Sequence, residues 1–223
     1  MASSKGKRDA YHHGNLRDHL IAATRTLIET DGLEAFKVAD ACRHAGVSTA
    51  APYRHFDDRH ALLEAVAVAG FHDLRDEMKA AGEQLDNGSV AAVSAIGKAY
   101  VAFACHEPNL FRLMFGKSDA SESSKSKGKL HDNQQSISAS SEHHTLSTCE
   151  LAGRECYAVL LDQLAATLKQ DSLHERVIKA AFPLWTFVHG LSFLLIDGNL
   201  SVNQMPIDTD LQIEQATQCL MPK

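Results

Sequence analysis

The 223-residue sequence is sparse in the features that mark most specialised protein classes. Its five cysteines (Cys42, Cys105, Cys149, Cys156 and Cys219) are odd in number and widely spaced, with no C-x-x-C pair for zinc or redox chemistry. They read as reduced thiols of a cytoplasmic protein. Thirteen glycines and five prolines are too few for a fibrous or linker chain. MASSKGKRDA at the N-terminus has no apolar segment and does not read as a signal peptide. No stretch reaches the roughly 18 uninterrupted apolar residues of a membrane span, so no membrane partner is expected. GxSxG, phosphate-loop and H-E-x-x-H patterns are all missing, and neither catalytic residues nor an enzyme is expected. Cys105-His106, His131 and His143-His144 lack metal-ligand spacing, so no metal and no cofactor is expected either. Neither alternating strand patterns nor internal repeats occur.

What is present has helical period almost throughout. Apolar residues make up 44% and charged residues 22%, a globular balance. The net charge of −6 is unevenly spread. Residues 1–60 hold nine Lys/Arg against eight Asp/Glu, and the acidic excess lies in the remainder. Such asymmetry separates a nucleic-acid-facing end from the rest of a chain. Leu16, Leu20, Ala23 and Leu27 mark one face of a first helix that Gly32 stops. Short helices over Val38–Ala45 and Thr49–Phe56 follow, then a long one over His60–Glu83. Ser89 caps a helix carrying Val93, Ile96, Tyr100 and Phe103, and Pro108 opens another with Phe111 and Met114. Capping-box spacing occurs at Ser147/Glu150, Ser172/Glu175 and Thr209/Gln212. Between Val177 and Ile196 the apolar residues run nearly all round the helix, which implies a central position or a second subunit against it. The sum is an all-α chain of about nine helices. Lys117–Ser147, rich in Ser, Lys, His and Gln, reads as a mobile insertion.

The sharpest signal is VADACRHAGVSTAAPYRHF, Val38–Phe56. Cys42 and Ala45 are small enough for two helices to cross closely. Gly46 supplies the turn, Val47 an apolar peg, and Ser48 a cap for the second helix. Such a helix-turn-helix lays its second helix in the major groove of DNA. Pro52 falls in the first turn, where a missing N–H costs least. Tyr53, His55 and Arg59 follow it with groups that reach phosphates.

Residues from Tyr11 to about Phe71 resemble the tetracycline-repressor (TetR) family of bacterial regulators. The resemblance rests on YHHGNLR (Tyr11–Arg17), AGVSTAAPYRHF (Ala45–Phe56) and Arg59-His60-Ala61-Leu62-Leu63. Downstream, Trp185, His189-Gly190 and Asp197-Gly198 resemble the Trp…His-Gly signature of one subgroup. The resemblance implies a homodimer on a palindromic double-stranded operator, released by a small-molecule effector. It implies a flexible basic arm over residues 1–14, a DNA-binding domain over 15–60 and a helical effector-binding and dimerisation domain over 61–223. Thr49, Ala50 and Ala51 would face bases. Lys37, Ser48, Tyr53, His55 and Arg59 would meet phosphates, and Lys5, Lys7 and Arg8 of the arm would enter the minor groove. Lys37 departs from the family's usual Ser or Thr and weakens that cap. Ala39 replaces a longer polar residue, which shifts base reading to the second helix.

Tyr100, Phe103, Phe111, Met114, Tyr157 and Phe182 are the candidate walls of an effector pocket. Trp185 and His189, four apart on one helix face, would orient a polar group of a largely apolar ligand. The same apolar helix would also suit a second function class, a module whose C-terminal domain recruits a protein partner instead.

Overall fold

The computed structural model describes residues 16–116, 146–199 and 207–222, and their regular structure is entirely helical. The elements are α1 (Leu16–Asp31), α2 (Val38–His44), a 3-10 turn (Pro52–Arg54), α3 (Arg59–Glu83), α4 (Val90–His106), α5 (Pro108–Phe115), α6 (Thr148–Leu168), α7 (Glu175–Ile196) and α8 (Thr209–Leu220). The expected nine helices become eight among the described residues, because Thr49–Phe56 is not an α-helix. Pro52 has no N–H to donate, so this stretch closes with tighter bonds. Ala51 N–H donates to the Ser48 carbonyl (3.0 Å), Arg54 to Ala51 (3.3 Å) and His55 to Pro52 (2.8 Å). The Ser48 side chain caps nothing there; the turn's own N-cap residue is Ala51.

The caps show where local chemistry decided each start. Ser147 and Glu150 form the expected capping box, and Ser89 accepts from Ala92 N–H. The other two boxes do not form. The ring of His174 caps α7 by accepting from Arg176 N–H, because Ser172 lies in the turn that His174 N–H closes onto the Asp171 carbonyl. Asp208 caps α8 from one residue before Thr209, its carboxylate accepting from Leu211 N–H. Asp58 likewise starts α3 by accepting from Ala61 N–H at 2.8 Å. The basic arm and residues 117–145 of the expected insertion lie outside the described residues.

α1, α2, the 3-10 turn and the start of α3 enclose a small core that includes Leu20, Ile28, Phe36, Phe56 and Leu62. Each such residue contributes about 1.5–3 kcal/mol relative to exposure. α3 then runs out of this head and packs between α4 and α6, while α4 also meets α7 and α8. α7 is the one described helix long and apolar enough to cross a membrane by composition alone (mean hydropathy 1.4). Val177, Ala181, Leu184 and Leu191 nonetheless lie buried in the bundle.

Polar contacts lock the head to the bundle. The Arg25 guanidinium on α1 binds Glu107, at the α4–α5 corner, through two N–H groups and Asp73 on α3 through a third. These carboxylates, Glu107 foremost, hold its pKa above the ordinary arginine value. One turn along α1, the Glu29 carboxylate accepts from the backbone N–H groups of Asn109 and Leu110, two of the orphan donors that open α5. α5 in turn lies tight on α3 at Gly70, where a Cβ would stand 2.7 Å from the Met114 sulfur. Replacing Glu29 with Ala is expected to cost about 1–2 kcal/mol of stability, the loss of a carboxylate cap on part-buried donors. Urea unfolding measures that loss, and amide exchange at Asn109 and Leu110 is expected to accelerate.

Candidate nucleic-acid interface and ligand cavity

The head presents one polar surface, built by backbone constraints. Gly46 has φ +69°, a left-handed conformation that favours glycine, and it lets Val47 N–H donate back to the Cys42 carbonyl at 2.9 Å. The chain then turns with Cys42 buried and Val47 packed on the head core. Pro52 and Phe56 are buried at either end of the 3-10 turn, which forces the residues between them outward. Tyr53 is 59% exposed, and Lys37, Ser48, Thr49, Ala50 and His55 are exposed beside it, with Ala51 half-buried.

Arg59 is held differently. Its guanidinium donates to the Leu33 carbonyl at 3.0 Å and sits 5.5 Å over the Phe36 ring, tying the start of α3 to the α1–α2 loop. Arg54 was not among the residues singled out from the sequence. It is exposed on the 3-10 turn between Tyr53 and His55, and its guanidinium has no ion pair or hydrogen bond among the described residues. The run Tyr-Arg-His between two buried anchors was the signal that could have found it.

In the bundle a cavity of about 420 Å³ opens among α3, α4, α6 and α7. Of the eight residues expected to line it, Tyr100, Tyr157, Phe182 and Trp185 do. Phe103, Phe111 and Met114 are instead sealed in the core that also contains Leu74 and Leu110. Periodicity placed them on an inward face, but only packing decides which inward residues border empty space. Phe71 and Met78 of α3, Ile96 and Gly97 of α4, and Gly153 and Cys156 of α6 complete much of the wall. The small residues are informative. A Cβ on Gly153 would sit 3.5 Å from the Phe71 ring, and one on Gly97 would press Ile213 and Val188 at 3.2 and 3.3 Å. The Cys156 thiol, 3.6 Å from the Met78 sulfur, has its pKa pushed up to about 12 by burial, so it stays protonated and unreactive.

His189 stands behind this wall. Its ring stacks on Trp185 (centroids 5.0 Å apart, planes 22° apart) and shares a hydrogen bond of 2.8 Å with the Tyr100 hydroxyl through Nδ1. Phe111, Phe115 and Phe193 surround the imidazole at 5.8, 4.7 and 5.1 Å. Burial lowers its pKa from the ordinary 6.5, so it is neutral at pH 7 and makes a rigid backing for Tyr100 and Trp185. Phe115, at the end of α5, lines the cavity, while the other end of α5 is gripped by Glu29 of the head. One short helix thus touches both the cavity and the DNA-facing head.

Comparison with known families agrees with this architecture. Residues 20–66 match the model for bacterial regulatory proteins of the tetR family, and residues 93–220 match that for the tetracyclin repressor-like C-terminal domain. The chain belongs to the TetR family and is a DNA-binding transcriptional regulator with a helix-turn-helix head, not an enzyme. A Rhodococcus sp. RHA1 protein of unknown function is 26% identical with a TM-score of 0.69, covering 96% of this chain and 97% of its own. A tetR-family transcriptional regulator from Streptomyces coelicolor shares the fold at 14% identity (TM-score 0.62, 92% and 80% covered). So does a TetR family transcription regulator from Marinobacter aquaeolei VT8 at 16% (TM-score 0.52, 93% and 94% covered). No curated protein matches the sequence.

The half-buried imidazole predicts a pH dependence. Below 6.5 the unfolded chain protonates this histidine while the folded chain resists, so its contribution to stability is complete above 6.5 and is lost as pH falls toward the lowered folded value. His189→Gln is expected to shrink the drop in melting temperature between pH 7.5 and 5.5, read by circular dichroism.

Proposed function

We propose that the protein is a cytoplasmic homodimeric repressor that binds a palindromic operator and is released by a small apolar effector. The observation that carries this reading is the exposed turn from Ser48 to His55 on a head clamped to a bundle with a cavity. In the bound state two such heads occupy successive major grooves, roughly 34–36 Å apart. Thr49, Ala50 and Ala51 face base edges, while Lys37, Ser48, Tyr53, Arg54 and His55 contact phosphates. Arg59 keeps one N–H on Leu33 and turns the rest of its fork to the backbone.

The second copy docks on α7. Ile178, Phe182 and Leu194 are exposed on that helix, and a Cβ added at Gly190 would meet nothing within 4 Å. Only 33% of its most apolar window is buried within one chain. An apolar face of this kind is what a subunit interface covers.

Release follows from the shared helix. An effector that fills the cavity presses on Phe115 and Tyr100, displaces α5 against α3 at Gly70, and moves α1 through Glu29 and Arg25. A tenfold loss of operator affinity requires about 1.4 kcal/mol of preference for the displaced arrangement.

Selection of genomic fragments by the purified protein is expected to enrich one near-palindrome, and light scattering is expected to report a dimer. A monomer would favour the protein-recruiting alternative, in which α7 seats a different chain. On the selected fragment, Tyr53→Ala is expected to weaken binding about tenfold while leaving the salt dependence unchanged. Arg54→Ala is expected to flatten the slope of log affinity against log salt by about one ion. Equal slopes for Arg54→Ala and the parent protein would remove Arg54 from the phosphate contacts.

A further inference from the structure

The polar atoms of the cavity wall are largely engaged with the protein itself. The Tyr100 hydroxyl is bound to His189, Thr217 Oγ1 donates to the Ile213 carbonyl at 2.8 Å, and the Cys156 thiol faces Met78. Among the described residues of the lining, Arg154 is the only charged one. It is exposed, and among the described residues its guanidinium makes no ion pair or hydrogen bond. Its acidic neighbours on α6 are taken: Glu155 pairs with Arg75 at 2.9 Å, and Glu150 closes the capping box with Ser147. Tyr157, three residues on, lies on the same helix face and also lines the cavity. Its hydroxyl has no partner among the described residues.

We infer that the ligand of this cavity is a monocarboxylic acid with an apolar body, its carboxylate at the mouth on Arg154 and Tyr157. The inference rests on the reading of the cavity as an effector site. A guanidinium and a phenol together offer charge-assisted hydrogen bonds to both carboxylate oxygens. The aromatic and aliphatic interior takes the body and rejects a second polar group, which would lose its water without a partner. At interior packing density about 420 Å³ holds on the order of 15–20 heavy atoms. An amine of the same shape would place like charges together at Arg154, and an alcohol would forgo the charge-assisted bonds.

Trp185 is the single tryptophan of the chain and stands in the cavity wall, so its fluorescence reports occupancy without DNA. The full-length protein is titrated with dodecanoate, 1-dodecanol and dodecylamine, each below its aggregation concentration. Dodecanoate is expected to bind saturably and about tenfold more tightly than the alcohol, with the amine weakest. Arg154→Gln is expected to bring the acid down to the alcohol's affinity without changing the alcohol's, and Arg154→Lys to restore part of the difference. Equal binding of acid and alcohol by the parent protein would overturn the inference. So would an undiminished acid preference in Arg154→Gln, or no saturable change with dodecanoate. Operator affinity with and without dodecanoate is measured in parallel. Acid binding through Arg154 with unaltered operator affinity would uphold the ligand assignment and refute ligand release, which separates failure of one from failure of the other.

Discussion

Two side chains on one helix, Arg25 and Glu29, set the relation between the head and everything behind it. Arg25 gathers a carboxylate from α3 and another from the α4–α5 corner, and Glu29 closes on the first N–H groups of α5. Without them the small head core would be joined to the bundle mainly by the continuous backbone of α3 and by apolar contact. A head on a single helical stalk would swing, and in the proposed dimer two such heads could not hold a fixed spacing on DNA. The charges are only partly exposed, so water and salt screen them less than they would a surface pair. The bidentate geometry to Glu107 also limits the angle at which α1 can lie.

The same contacts explain why α5 is short and unusually constrained. Its N-terminus is held by the head, its middle is pressed on Gly70 of α3, and its last residue borders the cavity. Arg112 adds a tie from its outer face to Asp197 at the end of α7, at 2.7 Å. A displacement at Phe115 therefore has few ways to dissipate locally. α7 has the opposite character. One face is closed into the bundle, and the other leaves apolar side chains exposed, Phe182 at 63% among them, beside Lys179 and Thr186.

Much of this was legible in the sequence. Helical period located α1, α4 and α7, and residues that favour particular backbone shapes located the ends at Gly32, Gly46, Ser89, Pro108 and Ser147. The failures have physical causes. Thr49–Phe56 looked like a helix because its residues tolerate one, but Pro52 removes a donor and the segment tightens into a 3-10 turn. Capping boxes at Ser172 and Thr209 were outcompeted by His174 and Asp208, whose acceptors stood at the geometrically correct residue. On the head, Tyr53 and its neighbours stand outward because buried Pro52 and Phe56 bracket them, whereas the tie from the exposed Arg59 to the Leu33 carbonyl, 26 residues away, left no local pattern. In the bundle, Phe103, Phe111 and Met114 could not be told from Tyr100 by pattern, since all four face inward and only three-dimensional packing leaves a void beside one of them. The clamp itself was invisible, because Arg25 and Glu107 are 82 residues apart.

The central claim is that head and bundle form one mechanical unit through α1, α3 and α5. Differential scanning calorimetry of the full chain tests it most directly, beside a variant in which Arg25 and Glu29 are both alanine. The account predicts one transition for the parent protein, with calorimetric and van't Hoff enthalpies equal, and a separate earlier melting of the head in the double variant. Two transitions in the parent protein, or a double variant that still melts as one unit, would contradict it.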